Sequence, residues 1–325
     1  MKALYPGLEF GKATRDAYGE ALRELGRHHD EIVVLDADLA KSTRSYAFAE
    51  ENPDRFFNVG IQEANMVGMA GGLASSGKVP FISSFACFVI LKGFDQLRMA
   101  VAYANLNIKV AGSHGGISSG EDGASQQSVE DVGLACSLPH FVVCVPADEH
   151  AMRAAVRAAY EHRGPVYLRL GRPKAPLVYS GPPAEFALGR AVRLREGRDL
   201  TIIANGLLVG AGLVAADRLG AEGIGVRVVD MHTVKPLDVE ELRSAAEDTG
   251  AIVVAEEHLL HGGLGSRCAQ EIARLQPVPM EFVGLDDTYA ESGDPEALLR
   301  KYGLTADDVI AAARRVLERR PVRIV

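Results

Sequence analysis

The sequence predicts an α/β protein of two domains, each a mainly parallel sheet with helices on both faces. Three observations predict it. Short apolar runs alternate with helical patterns along the chain, as strands buried on both faces do. One Pro- and Gly-bearing stretch, Pro173 to Gly189, breaks that alternation, which then restarts. The chain has 325 residues, too many for one small core. The expected domains are residues 1–185, linker included, and 186–325.

The elements follow in order from their periodicity. An amphipathic helix is expected over Thr14–His28, then a strand at Ile32–Leu35. Ala64–Ala74 holds only apolar and small residues plus Asn65, which suits a closely packed, buried helix. A strand at Val79–Ile82, a helix over Phe94–Tyr103 and a strand at Ile108–Ala111 come next. Phe141–Val145 reads as a strand, Glu149–His162 as an Ala-rich helix and Val166–Leu168 as a strand. In the second domain, strands at Leu200–Ala204, Val226–Asp230 and Ala251–Ala255 are separated by helices over Leu208–Leu219 and Asp238–Asp248.

Composition excludes several function classes. Hydrophobic residues make up 47%, charged residues 24%, and the net charge is -8, as in an ordinary soluble globular protein. No basic surplus recommends nucleic acid or an anionic membrane as partner. No apolar run is long enough to span a bilayer, and Met1–Pro6 lacks the apolar core of a signal peptide. Cys87, Cys136, Cys144 and Cys268 show no metal-like spacing. Buried free thiols in a reducing cytoplasm are expected, and no metal site on this chain.

In sheets of this kind, sites lie in the loops beyond the carboxyl ends of the strands. Glu63 is the one charged residue between Arg55 and Lys78, in the first turn of the expected small-residue helix. Such a glutamate either caps a buried helix or is a carboxylate kept dry so that its proton affinity can be tuned. The loop Gly112–Gln127 carries five glycines together with His114, Asp122 and Gln126. Glycines let a backbone approach a ligand, although they also serve plain turns. Phe85 and Phe88, three residues apart, are expected to share a helix face, as core packing or as a wall for a flat heterocycle. Arg15, Ser42 with Arg44, and Arg172 follow strands of one sheet, where arginines suit a phosphate or carboxylate.

The segments Gly60–Met66, Gly112–Gln126, Ala13–Arg15, Asp36–Leu39 and Phe94–Arg98 resemble the C-terminal half of transketolase over essentially the whole chain. Val234–Asp238 and Val254–His258 are similar to that family's C-terminal domain. The resemblance implies a thiamine-diphosphate pyrimidine-binding fold followed by the transketolase C-terminal domain. It implies that Glu63 hydrogen-bonds the aminopyrimidine and promotes loss of the thiazolium proton. Phe85, Phe88, Asp38 and Leu39 would contact the cofactor. Arg15, Ser42, His114 and Arg172 would grip the sugar phosphate, Asp122 the acceptor hydroxyl and Gln126 the donor hydroxyl, with His114 also catalytic. Leu91 stands where part of the family has a third aromatic.

The sequence has no Gly-Asp-Gly, the motif that holds Mg²⁺ (or Ca²⁺) and the diphosphate in the family's other half. A split transketolase is therefore expected, with an N-terminal partner subunit, an α2β2 heterotetramer, sugar phosphate substrates and a place in the pentose phosphate pathway. The alternatives are the β subunit of a 2-oxoacid dehydrogenase, half of a deoxyxylulose phosphate synthase-like enzyme, and a non-catalytic binding or regulatory protein of the same fold. The loop with His114 and Gly120–Gly123 argues against the first.

Overall fold

The computed structural model describes residues 1–320; the last five residues of the expected second domain lie outside the described residues. In chain order the strands are β1 (Phe10–Ala13), β2 (Ile32–Asp36), β3 (Phe56–Asn58), β4 (Val79–Phe85), β5 (Lys109–Ser113), β6 (Val142–Cys144) and β7 (Val166–Arg169). They continue as β8 (Lys174–Pro176), β9 (Val192–Arg195), β10 (Leu200–Ala204), β11 (Val226–Asp230), β12 (Thr233–Lys235), β13 (Ile252–Leu259) and β14 (Met280–Leu285).

The first sheet has the order β12-β6-β7-β5-β4-β2-β3. All its pairs are parallel except β12 with β6. The second sheet has the order β14-β13-β10-β11-β9, parallel except for the edge strand β9. β1 and β8 form a separate antiparallel pair. The two-domain α/β class expected from the sequence is the one observed.

Strand alternation distributes the core. Val33 and Leu35 face one side of the first sheet with Ile82 and Val110, under the helix bearing Met66 and Val67. Ile32 and Val34 face the other side with Phe81, Tyr18 and Leu22. A third cluster gathers Leu200, Ile202, Leu208 and Val309 in the second domain, and it takes in Leu4 and Tyr5 from the N-terminus. The helix Glu149–Glu161 starts on Asp148, whose Oδ1 accepts from His150 N and Ala151 N. Its Oδ2 accepts from Val178 N and Tyr179 N, which fastens the interdomain segment to the same cap.

Two expectations are corrected. The helix Glu63–Ser75 is not buried all round. Glu63, Met66, Val67, Ala70 and Gly71 face inward, while Asn65, Gly68, Met69 and Gly72 are exposed, because nothing among the described residues covers that uncharged face. The helical segment expected around Phe94–Tyr103 is present, as a short α-helical turn at Phe94–Gln96 that widens into a π-helix over Leu97–Ala102. A second π-helical stretch spans Phe88–Lys92. Phe85 and Phe88 share no helix face, since Phe85 ends β4; they meet because the chain bends there. The structure adds one feature on which the sequence raised no expectation: β12 leaves the second domain's span of sequence to extend the first sheet.

Candidate active site

The carboxyl ends of the first sheet's strands gather one group of side chains. Arg15, Ser42, Phe85, His114, Asp122, Gln126 and Arg172 line a cavity of about 460 Å³. Arg15 sits in the first turn of the helix Thr14–His28, and Ser42 in the turn Ala40–Thr43 after β2. Phe85 ends β4, while His114, Asp122 and Gln126 follow β5 and Arg172 follows β7. All the residues expected at the substrate therefore converge, together with one of the two expected aromatics.

His114 is held from four sides. Its backbone has φ of 61°, a left-handed conformation that costs a non-glycine residue energy and marks an enforced geometry. Its ring stacks on Phe85, with centroids 3.8 Å apart. Arg15 Nη1 lies 3.4 Å from Nε2, and Ser113 Oγ lies 2.9 Å from Nδ1. A guanidinium only donates, so Nε2 is the acceptor and the ring proton sits on Nδ1, donated to Ser113. Burial, then the positive charges of Arg15, Arg172 and Arg44, push its pKa down to about 3. The imidazole is neutral at physiological pH, a hydrogen-bonding group rather than a cation. Asp122 Oδ2 lies 3.8 Å from Nε2.

The two cavity arginines differ in commitment. Arg15 Nη1 donates to Ser42 O at 3.1 Å, but its Nε is a buried donor with no acceptor among the described residues. An anion in the cavity would satisfy it. Arg172 donates to Ser119 O at 2.7 Å and Glu121 Oε2 at 2.5 Å, and its Nε lies 3.8 Å from Asp122 Oδ2.

Glu63 stands next to this group, 2% exposed. Ser84 Oγ donates to its Oε1 at 3.1 Å, and Lys92 Nζ lies 3.5 Å from its Oε2. The isolation of Glu63 from other charges is thus a property of the local sequence and not of the fold. Lys92, half exposed, also lies over the Phe88 ring at 4.1 Å, and Phe88 stacks on Phe85 at 5.5 Å. Contacts run unbroken from Glu63 through Lys92, Phe88 and Phe85 to His114. Leu91 is exposed and takes no part in this aromatic wall.

Asp38 and Leu39 do not line the cavity. Asp38, with φ of 66°, accepts from Asn58 Nδ2 at 3.0 Å, and Leu39 N donates to Asp36 Oδ1 at 2.6 Å. Sequence reasoning missed Asp36, a fully buried carboxylate that also accepts from Thr43 and Ser45 hydroxyls. Burial raises its pKa to about 6 against those bonds. Its sign in the sequence was an acid closing an apolar strand. Lys92 gave no sign, being 29 residues from Glu63. All four cysteines are buried and free, as expected. Among the described residues, no helix is long and apolar enough to cross a membrane.

Comparison with known proteins identifies both domains. Residues 11–177 match the transketolase pyrimidine-binding domain, and residues 189–309 match the transketolase C-terminal domain. A 6-deoxy-6-sulfo-D-fructose transketolase subunit of Clostridium sp. (strain MSTE9) is 43% identical over 309 residues, covering 95% of this chain and 96% of that one. Transketolase of Rattus norvegicus is 38% identical over 306 residues, 93% of this chain but 48% of the rat protein. A solved structure described as a split gene transketolase, inactive beta4 tetramer, superposes with a TM-score of 0.90 at 49% identity, covering 96% of this chain and all of that one. The chain belongs to the transketolase family, of which it carries the pyrimidine-binding and C-terminal domains.

Proposed function

We propose that this chain is the C-terminal subunit of a two-chain, cytoplasmic transketolase that moves a two-carbon ketol unit from a ketose phosphate to an aldose phosphate. The observation that carries the proposal is the convergence of Arg15, His114, Asp122 and Arg172 on one cavity beside Glu63 and its aromatic wall. An N-terminal partner would hold the diphosphate and Mg²⁺ (or Ca²⁺), in an α2β2 assembly. The chain spans about half the length of single-chain rat transketolase. The uncovered face of the Glu63 helix, with exposed Ile61, Met69, Leu91 and Met99 nearby, suits a partner surface.

A pyrimidine-binding domain implies thiamine diphosphate. The residues fit its aminopyrimidine: a buried carboxylate paired, among the described residues, with a half-exposed lysine, and two stacked rings beside it. When bound, thiamine diphosphate supplies a nucleophilic carbon and an electron sink for breaking the bond next to a ketose carbonyl. Glu63 would share a proton with a pyrimidine ring nitrogen, its orientation fixed by Ser84. Phe85 and Phe88 would exclude water from that ring. Neutral His114 would accept a hydrogen bond from the reacting sugar through Nε2 without adding charge. Asp122 accepts from an acceptor hydroxyl, and Gln126 contacts a donor hydroxyl. Arg15, with its free Nε, and Arg172 bind the sugar's anionic end, with Ser42 beside them.

A second reading of that anionic end is a sulfonate, favoured by the sugar named for the Clostridium relative. Co-expression with a chain bearing the diphosphate motif, followed by ketol-transfer assays with thiamine diphosphate and Mg²⁺, tests both. Phosphorylated, sulfonated and unsubstituted ketoses would be compared. Turnover is expected with an anionic sugar; equal turnover of the unsubstituted sugar would remove the anion-binding assignment, and no turnover with any sugar would remove the enzyme reading.

A further inference from the structure

The loop that carries His114 and Asp122 is fastened to the second domain, and one buried carboxylate takes both of Ser118's donors. Glu257, on β13, is buried. Its Oε1 accepts from Ser118 N at 2.5 Å and its Oε2 from Ser118 Oγ at 3.2 Å, across 139 residues of sequence. Gly116, with φ of 85°, lies so close that a Cβ there would fall 2.2 Å from the Glu257 carboxyl carbon. The strand that carries Glu257 is also held from the first domain. Arg169 Nη1 donates to Glu257 O at 2.9 Å while its Nε and Nη2 hold Asp131 at 2.9 and 3.0 Å.

Two further contacts hold the same loop. Gln127 Nε2 donates to Ile117 O and Gly120 O within the loop and to Glu291 O of the second domain. Gly120 packs on Pro295 and Gly123 on Ser292. From the loop, Ser119 O accepts from Arg172 and Ser119 Oγ donates to His114 O. The path from Glu257 to the cavity is therefore two residues long.

We propose that Glu257 is a positioning residue for the substrate site: the second domain uses it to clamp Ser118, and through Ser119 this sets the placement of His114, Asp122 and Arg172. This gives the C-terminal domain a specific part in substrate binding, distinct from the cofactor side, where Glu63, Ser84 and Phe88 belong to the first domain. The substrate assignment rests on the reading in the preceding section; the clamp on the loop does not.

Two measurements separate the two. In the purified chain, amide hydrogen exchange is followed for peptides covering 112–127 and 63–75. A buried N–H without its acceptor loses enough stability for protection at Ser118 to fall about tenfold or more in Glu257→Ala, with 63–75 unaffected. Glu257→Gln, which keeps an acceptor oxygen, restores most of the protection. In the reconstituted complex, Glu257→Ala raises the sugar KM by about tenfold or more. Hydrogen exchange at the cofactor's thiazolium carbon stays near the wild-type rate. Unchanged loop protection overturns the clamp. Loop deprotection with unchanged sugar KM, or with cofactor exchange lost in parallel, overturns the link to substrate. Should Glu257→Ala not fold, Ser118→Ala removes the hydroxyl leg alone, and an unaltered KM there overturns the proposal. A wild-type complex without cofactor exchange would instead defeat the transketolase reading and leave the loop result standing.

Discussion

Replacing Glu63 with Gln separates a structural glutamate from a catalytic one, because the structure forecasts very different magnitudes for the two. The bond from Ser84 Oγ to Oε1 survives, since a Gln carbonyl also accepts. What is lost is the 3.5 Å pairing with Lys92, whose side chain is 49% exposed and returns to water. Such a solvated pair contributes about 0.2–1 kcal/mol. A carboxylate in the first helical turn adds roughly 0.3–1 kcal/mol from the dipole. Together these come to about 2 kcal/mol at most, a shift of a few degrees in Tm for domains of this size. Proton transfer through Glu63 is instead worth on the order of 10²–10⁴-fold in kcat, or about 3–5 kcal/mol. The assay is ketol transfer by the reconstituted complex, with deuterium exchange at the thiazolium carbon and a thermal melt of the same preparation. The expected result is a nearly unchanged melt with kcat and exchange both reduced by at least about 100-fold, the sugar KM little altered, and no rescue at high cofactor concentration. A destabilised Glu63→Gln protein with normal exchange and kcat would refute the reasoning and leave Glu63 a helix-start residue.

Arg172→Ala should raise the KM for a sugar phosphate by about tenfold, the low end of a charge-assisted contact, because Glu121 and Asp122 already engage this guanidinium. An unshifted KM would show that Arg172 serves only the loop. For His114, the unfolded chain takes up a proton near pH 6.5 and the folded chain only near 3. Stability contributed above pH 6.5 is thus lost as pH falls through that window, by up to about 1.4 kcal/mol per pH unit. His114→Asn should flatten that slope in denaturant melts between pH 6 and 4, and an identical slope would contradict the assignment. Met69→Glu, on the uncovered helix face, should weaken assembly in sedimentation experiments; unaltered assembly would place the interface elsewhere. The single chain should bind thiamine diphosphate weakly and show no turnover, and robust turnover by rigorously purified chain would defeat the two-chain proposal.

The sequence by itself determined what is local. Alternating apolar runs such as Val33–Leu35 and Ile202–Ala204 declare strands, because side chains on a strand face opposite sides with period two. Glu63 and the loop Gly112–Gln127 stood out because a lone charge and clustered glycines are costly in a buried α/β layer unless they serve something. Arg15, Ser42, His114, Asp122 and Arg172 were legible through the resemblance, and the rule that sites follow strand ends said where to look.

Tertiary structure alone decided the rest, and always through partners distant in sequence. Nothing in the stretch around Lys92 announces that a π-helical widening turns its ammonium toward Glu63 and Phe88. The apolar helix after Glu63 reads as fully buried, yet whether both faces are covered depends on what packs against it, and this chain covers one. β12 looks like part of the second domain until its backbone finds an open edge beside β6. Glu257 lies in the polar run Glu256–His258 at the end of an apolar strand, with nothing to single it out, and only folding brings it 2.5 Å from Ser118 N. Periodicity encodes which way a residue faces within its own element; which element it then meets is set by the packing of the whole chain.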